Sequence, residues 1–401
     1  MTATLTVSAV DIIKKAFSIM RVADAEVPLE AIDQQNGIES LNYLIKYWQT
    51  QSFHLWTETE AVLPLVKGQQ MYKLGADGDK CFNAQAFYST TLGAAAAGDT
   101  LTLTDTANIN ASPNLFGAFD PTSSQQDWVT QDANLSGALT ITGTGIGSGY
   151  AEYPLETVIG AEYIAMLDVT LITALDGAFS AVDVDGDIDE VIFNSDATVS
   201  VRFTARQTAT QLRVSVPGGS AELSVTNLTA INTATGDEIG VILDDGTTQW
   251  SYVNFVNGQT VTARDVFGTA STDATVYYSG DPIPRPMSLV TTRYRDNISA
   301  TEIPTENWSR TDYFEQPSKT SQGIVSQWYY SPQLTTGELY VWQVASSNAN
   351  LLNMTYIRPT DVTPDNADAP DFPSEWFLVL AYNLAATLGP EYSVPDARVA
   401  V

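Results

Sequence analysis

The sequence predicts an α+β chain: one discontinuous helical and β domain built from both chain ends, interrupted by a large all-β insertion. Three observations lead there. Apolar residues recur at helical spacing near the N-terminus and again near the C-terminus. From Ala76 to Asp281 no helical stripe exceeds two turns, and short alternating runs are separated by Gly, Asn and Asp. The texture then reverts after "GDPIPRP" (280–286).

Ser8-Ala9-Val10-Asp11 resembles a capping box and opens the first helix. Ile12, Ile13, Ala16, Phe17 and Met20 follow on one face, and "VADAEVP" ends it. A second helix after Pro28 carries Ile32, Ile38, Leu41, Leu44, Ile45 and Trp48. Gly37 falls inside it and weakens it locally. "FHLWTETEAVLPL" shifts to extended structure, and "LPLVKGQQMYKLG" reads as strand-turn-strand about Lys67-Gly68.

In the middle, "DTLTLTD" (99–105), "GALTITG" (137–143), "YIAMLDVTL" (163–171), "ATVSVRFTAR" (197–206), "QLRVSV" (211–216) and "AELSVTNL" (221–228) alternate with period two. This is the pattern of a sandwich or barrel. Asp245-Gly246 and Asn257-Gly258 mark hairpins, with type I′ turns expected. Beyond residue 282, "SQWYYSPQLTTGELYVWQV" (326–344) reads as a hairpin and "LLNMTYIRP" (351–359) as its next strand. The last helix follows Pro373, carries Trp376, Phe377, Leu380, Leu384 and Leu388 on its apolar face, and stops at Gly389-Pro390. Its apolar face has no natural partner in the β region, so the two N-terminal helices are expected to cover it. Residues 1–75 and 282–401 then form one domain.

Composition narrows the chemistry. The net charge is −29. Residues 76–281 hold 26 acids against 5 bases, and the flanks 21 against 13. No Lys/Arg cluster suited to specific phosphate binding is present. No apolar run reaches the roughly 18 residues of a membrane span. The start lacks the pattern of a signal peptide. Cys81 is the single cysteine and His54 the single histidine. That excludes a His/Cys zinc cluster, an intrachain disulfide and, with His54 in an aromatic stretch, the usual nucleophilic triads. No cofactor and no catalytic residue are assigned, and the chain is expected not to be an enzyme.

Several motifs remain open to alternatives. "DVDGDIDE" offers Asp183, Asp185, Asp187 and Asp189 as a weak calcium candidate, although the EF-hand spacing fails and an exposed Asp-Gly turn is the plainer reading. Glu58 and Glu60 share a strand face and could in principle form the carboxylate pair of a peptidoglycan hydrolase. Trp128, Tyr150, Tyr153 and Tyr163 could line a glycan or neighbour contact, or fill a sandwich core. "GTGIGSG" (143–149) lacks the Lys-Ser/Thr and helix of a phosphate loop.

"GIESLNYLIKYWQTQSFHLWTETEAVLPLVKGQQMYKLG", "QWYYSPQLTTGELYVWQV" and "FPSEWFLVLAYNLAATLGPEY", in that order, resemble the head-to-tail adaptors (tail accessory factors) of short-tailed phages. The resemblance covers roughly residues 1–75 and 282–395. "TTLGAAAAGDTLTLTD" with 236–279 is similar to a β domain inserted in such adaptors, which gives 76–106 and 232–281 as an inserted β domain. Residues 107–231 resemble a nested jelly-roll module of the carbohydrate-binding type.

The resemblance implies a virion protein of the tail or neck, assembled in the host cytoplasm as a dodecameric ring below the portal protein. It would extend the DNA channel, pass DNA without specific binding, and carry the tail nozzle and the fibre or spike proteins. Its domain core would comprise Phe17, Met20, Leu41, Ile45, Trp48, Trp376, Phe377, Leu380 and Leu384. Family members often continue past "GPEYSVP" into a portal-docking tail. That role would fall here on Tyr392, Val394, Pro395 and Arg398. A glycan-binding surface protein acting through the jelly roll is the alternative.

Overall fold

The computed structural model describes residues 7–22, 29–51, 57–76, 78–96, 98–115, 128–136, 139–144, 148–296, 301–361 and 370–394. His54, Pro395 and Arg398 lie outside them. The chain forms two compact units. One comprises Met1–Gln85, Pro282–Ser346 and Asn350–Val401, and the other Ala86–Asp281 with Ser347–Ala349. The first boundary falls after Gln85 rather than at Gly75. The cause is local: Phe82–Asn83 pairs with Glu58–Pro64, and Cys81 and Phe82 are buried.

Three helices make one core in the first unit: α1 (Ala9–Met20), α2 (Ala31–Thr50) and a C-terminal helix, Phe377–Leu388. The Ser8 amide and hydroxyl donate to the Asp11 carboxylate (3.1 and 2.7 Å), fixing the start of α1 and holding that carboxyl below its usual range. Ile12, Ile13, Ala16, Phe17 and Met20 are buried against Leu41, Ile45, Leu380, Leu384 and Leu388. Each of these side chains other than Ala16 contributes roughly 1.5–3 kcal/mol on burial. Trp48, Phe372 and Trp376 meet edge to face at 6.0–6.2 Å, and Phe377 packs against the same core.

Two details depart from the periodicity reading. Ile32 is exposed, because the buried face of α2 begins at Gly37 and Ile38. Gly37 is the close-approach point, since a Cβ there would sit 2.6 Å from Ile13 Cγ2.

The rest of this unit is a small parallel pair, Gln322–Gly323 with Val344–Ala345, and two larger sheets around a shared core. One orders Thr301–Pro304, Ser288–Asp296, Asn350–Ile357, Glu58–Pro64 and Phe82–Asn83. The other orders Met71–Leu74, Gly337–Trp342, Gln327–Pro332 and Glu306–Asn307. The strand Asn350–Ile357 thus leaves the hairpin that precedes it and joins the first sheet, correcting the expected meander. Leu351, Leu352 and Met354 are buried there, between two neighbours.

The second unit holds a sandwich and a six-stranded sheet. One sandwich sheet orders Ala197–Thr204, Glu162–Leu171, Glu222–Asn232, Thr140–Gly143 and Ala133–Ser136. The other orders Gly186–Phe193, Gly177–Asp183, Ala209–Val216, Gly149–Glu156 and Val129–Gln131. Their inward residues, among them Leu167, Phe179, Leu212 and Val225, form one core. All pairs are antiparallel, so this stretch is a two-layer β-sandwich.

The six-stranded sheet draws Tyr88–Thr91 and Thr100–Thr102 from before the sandwich and four strands from 238–279 after it. Arg202 and Arg264 converge on Glu162 (3.0 Å each), and the buried Asp237 accepts from the Asn110 amide at 2.8 Å. The hairpin Thr248–Asn257 to Thr260–Ala263 forms, yet only Gly258 of its two loop residues has positive φ (59°). That matches a II′ rather than a I′ turn.

Candidate functional site

The outer face of the four-stranded sheet in the first unit carries a cluster of rings. Alternation puts Trp328, Leu339 and Val341 inward, and Tyr329, Ser331, Glu338 and Tyr340 outward. Register sets Tyr329 opposite Tyr340, and their rings stack at 5.8 Å. Over them lies a short helix, α3 (Arg310–Glu315), numbered in chain order, so that Phe377–Leu388 is α4.

The capping box of α3 is complete. The Ser309 hydroxyl accepts from the Asp312 amide (3.2 Å), and the Ser309 amide donates to the Asp312 carboxylate (3.1 Å). At the other end Lys319 Nζ donates to the Phe314 and Gln316 carbonyls (3.0 Å each), satisfying orphan acceptors.

α3 drives Tyr313 into the interior against Tyr340 (5.2 Å) and leaves Phe314 48% exposed, edge-on to Tyr329 and Tyr340. Arg310 sits 5.4 Å from the Phe314 centroid. The Tyr340 hydroxyl donates to Glu338 Oε2 at 2.9 Å. Burial, then this carboxylate, pushes the phenol up, so it stays protonated at neutral pH. A cleft of about 330 Å³ opens among Arg310, Phe314, Tyr329, Gln333, Glu338 and Tyr340. It offers aromatic faces, one cation and one carboxylate. Such groups are suited to recognition of a complementary surface or ligand.

The residues singled out from sequence distribute differently. Of the aromatic set, Trp128 (6% exposed) and Tyr163 (2%) are interior, Tyr163 stacking on Phe203 at 5.7 Å. Tyr153 turns inward onto Trp128 at 5.4 Å. Only Tyr150 reaches the outer face, beside Glu152 and Arg213. Arg213 covers its ring at 4.2 Å while pairing with Glu152 at 2.7 Å. The expected sugar platform of Trp128, Tyr150 and Tyr153 is therefore not assembled. Packing between the two sheets claims two of the three rings.

The four aspartates also diverge. Asp183 Oδ1 accepts from the Asp185 amide, Asp185 from Gln207, and Asp189 from the Arg202 amide, while Asp187 faces Arg213. A bulge between Ala181 and Val182 and the alternation of the strand send neighbours to different faces. No cluster of three or more His, Cys, Asp or Glu suited to a metal ion occurs among the described residues.

Glu60 pairs with Arg293 (3.1 Å), which also meets Glu302 (3.3 Å), so this carboxylate belongs to a surface ion-pair set. Tyr392 and Val394, expected in a docking tail, instead fold back on the helical core. Tyr392 packs on Phe17 at 5.0 Å and donates to Asp33 at 2.6 Å, and the Val394 amide donates to the Gly389 carbonyl.

No family model matches the chain, and no curated protein matches it. Solved structures similar to part of it include the C-terminal CBM6 of LamC, a marine laminarinase from Zobellia galactanivorans. That pair shares 11% identity over 28% of this chain and 96% of the other, with a TM-score of 0.21. A family 35 carbohydrate binding module from Clostridium thermocellum shares 12% identity over 28% and 95%, with a TM-score of 0.20. TmCBM61 in complex with beta-1,4-galactotriose shares 13% over 27% and 83%, also at 0.20. Likeness at this level assigns neither fold nor function to this chain. The sandwich is defined above by its own strand order. No described helix is long and apolar enough to cross a membrane.

Proposed function

We propose that this chain is a structural, non-enzymatic virion protein: a head-to-tail adaptor that forms a ring below the portal, extends the DNA channel and carries tail components. The observation that supports it best is the helical core. α1 and α2 from one chain end pack with α4 from the other, and the β-rich unit Ala86–Asp281 lies between them in the sequence. This is the organisation that the resemblance of the end segments implies. A β-rich unit with a large excess of acids also suits a particle through which DNA must pass without adhering. Closed rings arise from heterologous contacts between two unlike faces of one subunit.

Native mass measurement of the chain mixed with its cognate portal tests the reading. A portal complex bearing a complete ring of copies, twelve by the resemblance, is the expected species. Portal and chain that remain separate at all concentrations overturn it. A glycan-binding role retains one foothold, the outer-face grouping of Tyr150, Gln131 and Glu152, with Tyr150 donating to Gln131 at 2.5 Å. A glycan array probed with the full chain decides that alternative.

A further inference from the structure

We propose that the cleft beside α3 docks a second copy of this chain, receiving the outer stripe of that copy's α2, with Glu39 against Arg310 and Tyr43 and Tyr47 against the cleft's rings. The inference rests on the ring reading and gives it two specific faces. Along α2, Glu39, Tyr43 and Tyr47 recur every four residues and so share one face. Tyr43 and Tyr47 are 67% and 61% exposed. Two large aromatic side chains on one exposed stripe are a costly surface unless something covers them. Tyr43 donates to Glu39 Oε1 at 3.0 Å, which fixes the carboxylate beside the rings.

The cleft is the complement. Phe314, Tyr329 and Tyr340 present ring faces and edges around a space of about 330 Å³. Arg310 is exposed and, among the described residues, has no carboxylate partner, in a chain with 47 acids against 18 bases. Aromatic residues and arginine are the types that anchor interfaces. Both faces belong to the same compact unit, and they are unlike, as a ring contact requires. Charge complementarity selects the occupant: Glu338 on the cleft wall is engaged by the Tyr340 hydroxyl, which leaves Arg310 as the charge to be answered by an acid-bearing aromatic stripe.

Charge exchange on the full chain provides the test. Glu39→Arg and Arg310→Glu, singly and together, are compared with wild type by sedimentation velocity of the free chain and by native mass on the cognate portal. Both residues are exposed, and circular dichroism verifies that the variants fold. Each single variant is expected to weaken copy-to-copy association about tenfold or more and to leave incomplete rings. The double variant is expected to restore it. Complete rings with either single variant, or a double variant no better than the singles, overturn the proposal while leaving the adaptor reading intact. Absence of portal binding with charge-dependent self-association does the reverse. A wild-type chain that neither self-associates nor forms rings on the portal overturns both.

Discussion

In the helical core the residues that touch lie far apart in the chain. Tyr392 meets Phe17 and Asp33, and Lys46 Nζ donates to the Thr360 carbonyl. In the sandwich, each paired strand finds its partners between Val129 and Asn232. The first region must close a loop holding most of the molecule, and the second closes only on itself. Loop-closure entropy grows logarithmically, at roughly 0.6 kcal/mol per doubling of length, so a long insertion costs the helical core little once its ends dock. What the helical core cannot tolerate is loss of either end.

The largest expected effect follows from that difference. A chain lacking residues 370–401 loses α4 and with it Leu380, Leu384 and Leu388. Hydrogen exchange should then show α1 and α2 unprotected, while Glu162–Leu171 and Ala209–Val216 keep full protection. Protected α1 and α2 in this truncation would break the comparison. Within the intact chain, Leu384→Ala should cost about 2–5 kcal/mol in the transition of the helical core and leave that of the sandwich in place. Differential scanning calorimetry with exchange readout separates the two.

Gly37→Ala sharpens the point by reversing a sign. In an exposed helix interior this change stabilises by roughly 0.5–1 kcal/mol. Here the new Cβ would meet Ile13 Cγ2 at 2.6 Å, so a loss of about 1–3 kcal/mol is expected. Chemical denaturation followed by tryptophan fluorescence measures it. A stabilised variant would mean that α1 and α2 are not in close contact.

Two carboxylates, one in each compact unit, should contribute to stability with opposite dependence on pH. Asp371 is held below its ordinary 3.8, first by the hydrogen bonds from Arg358 and further by the charges of Arg358 and Lys46. Its contribution is present above that ordinary value and is lost as pH falls through the depressed one. Asp237 is raised above 3.8, chiefly by burial. Its contribution is full below 3.8 and is lost as pH rises through the raised value. Asp371→Asn should therefore remove that residue's share of the stability lost on acidification, and Asp237→Asn its share of the stability lost as pH rises above 3.8. Stability against pH, followed by exchange in each unit, checks both slopes.

How far these regions were legible in sequence depends on the interaction involved. The α1 stripe is a local pattern: its apolar spacing and the Ser8–Asp11 cap lie within four turns, and the buried set is the one that periodicity marks, with Ala9 added. Gly37 carried a propensity signal that pointed to weakness, because the close approach of Ile13 is tertiary. Trp128 and Tyr153 were ambiguous for the same reason, since alternation does not say which face a second sheet will cover. The cleft was missed altogether. Its signals were present in the Ser309–Asp312 cap and in the register that pairs Tyr329 with Tyr340. What joins them is the docking of Phe314 onto both rings, and no local pattern encodes that step.

The smallest effect belongs to the sandwich surface. Arg213 pairs with Glu152 at 2.7 Å, approaches Asp187 at 3.6 Å and lies over Tyr150 at 4.2 Å. These contacts sit on the outer face, where solvent screening limits an ion pair to roughly 0–1 kcal/mol and a cation–π contact to about 0.5–1. Arg213→Ala should accordingly lower the sandwich transition by about 1 kcal/mol and leave the helical core unchanged. The same variant uncovers the Tyr150 ring. If that ring serves a saccharide, removing its arginine cover changes glycan retention by the full chain. If the pair is only structural, stability alone responds and glycan retention is unchanged.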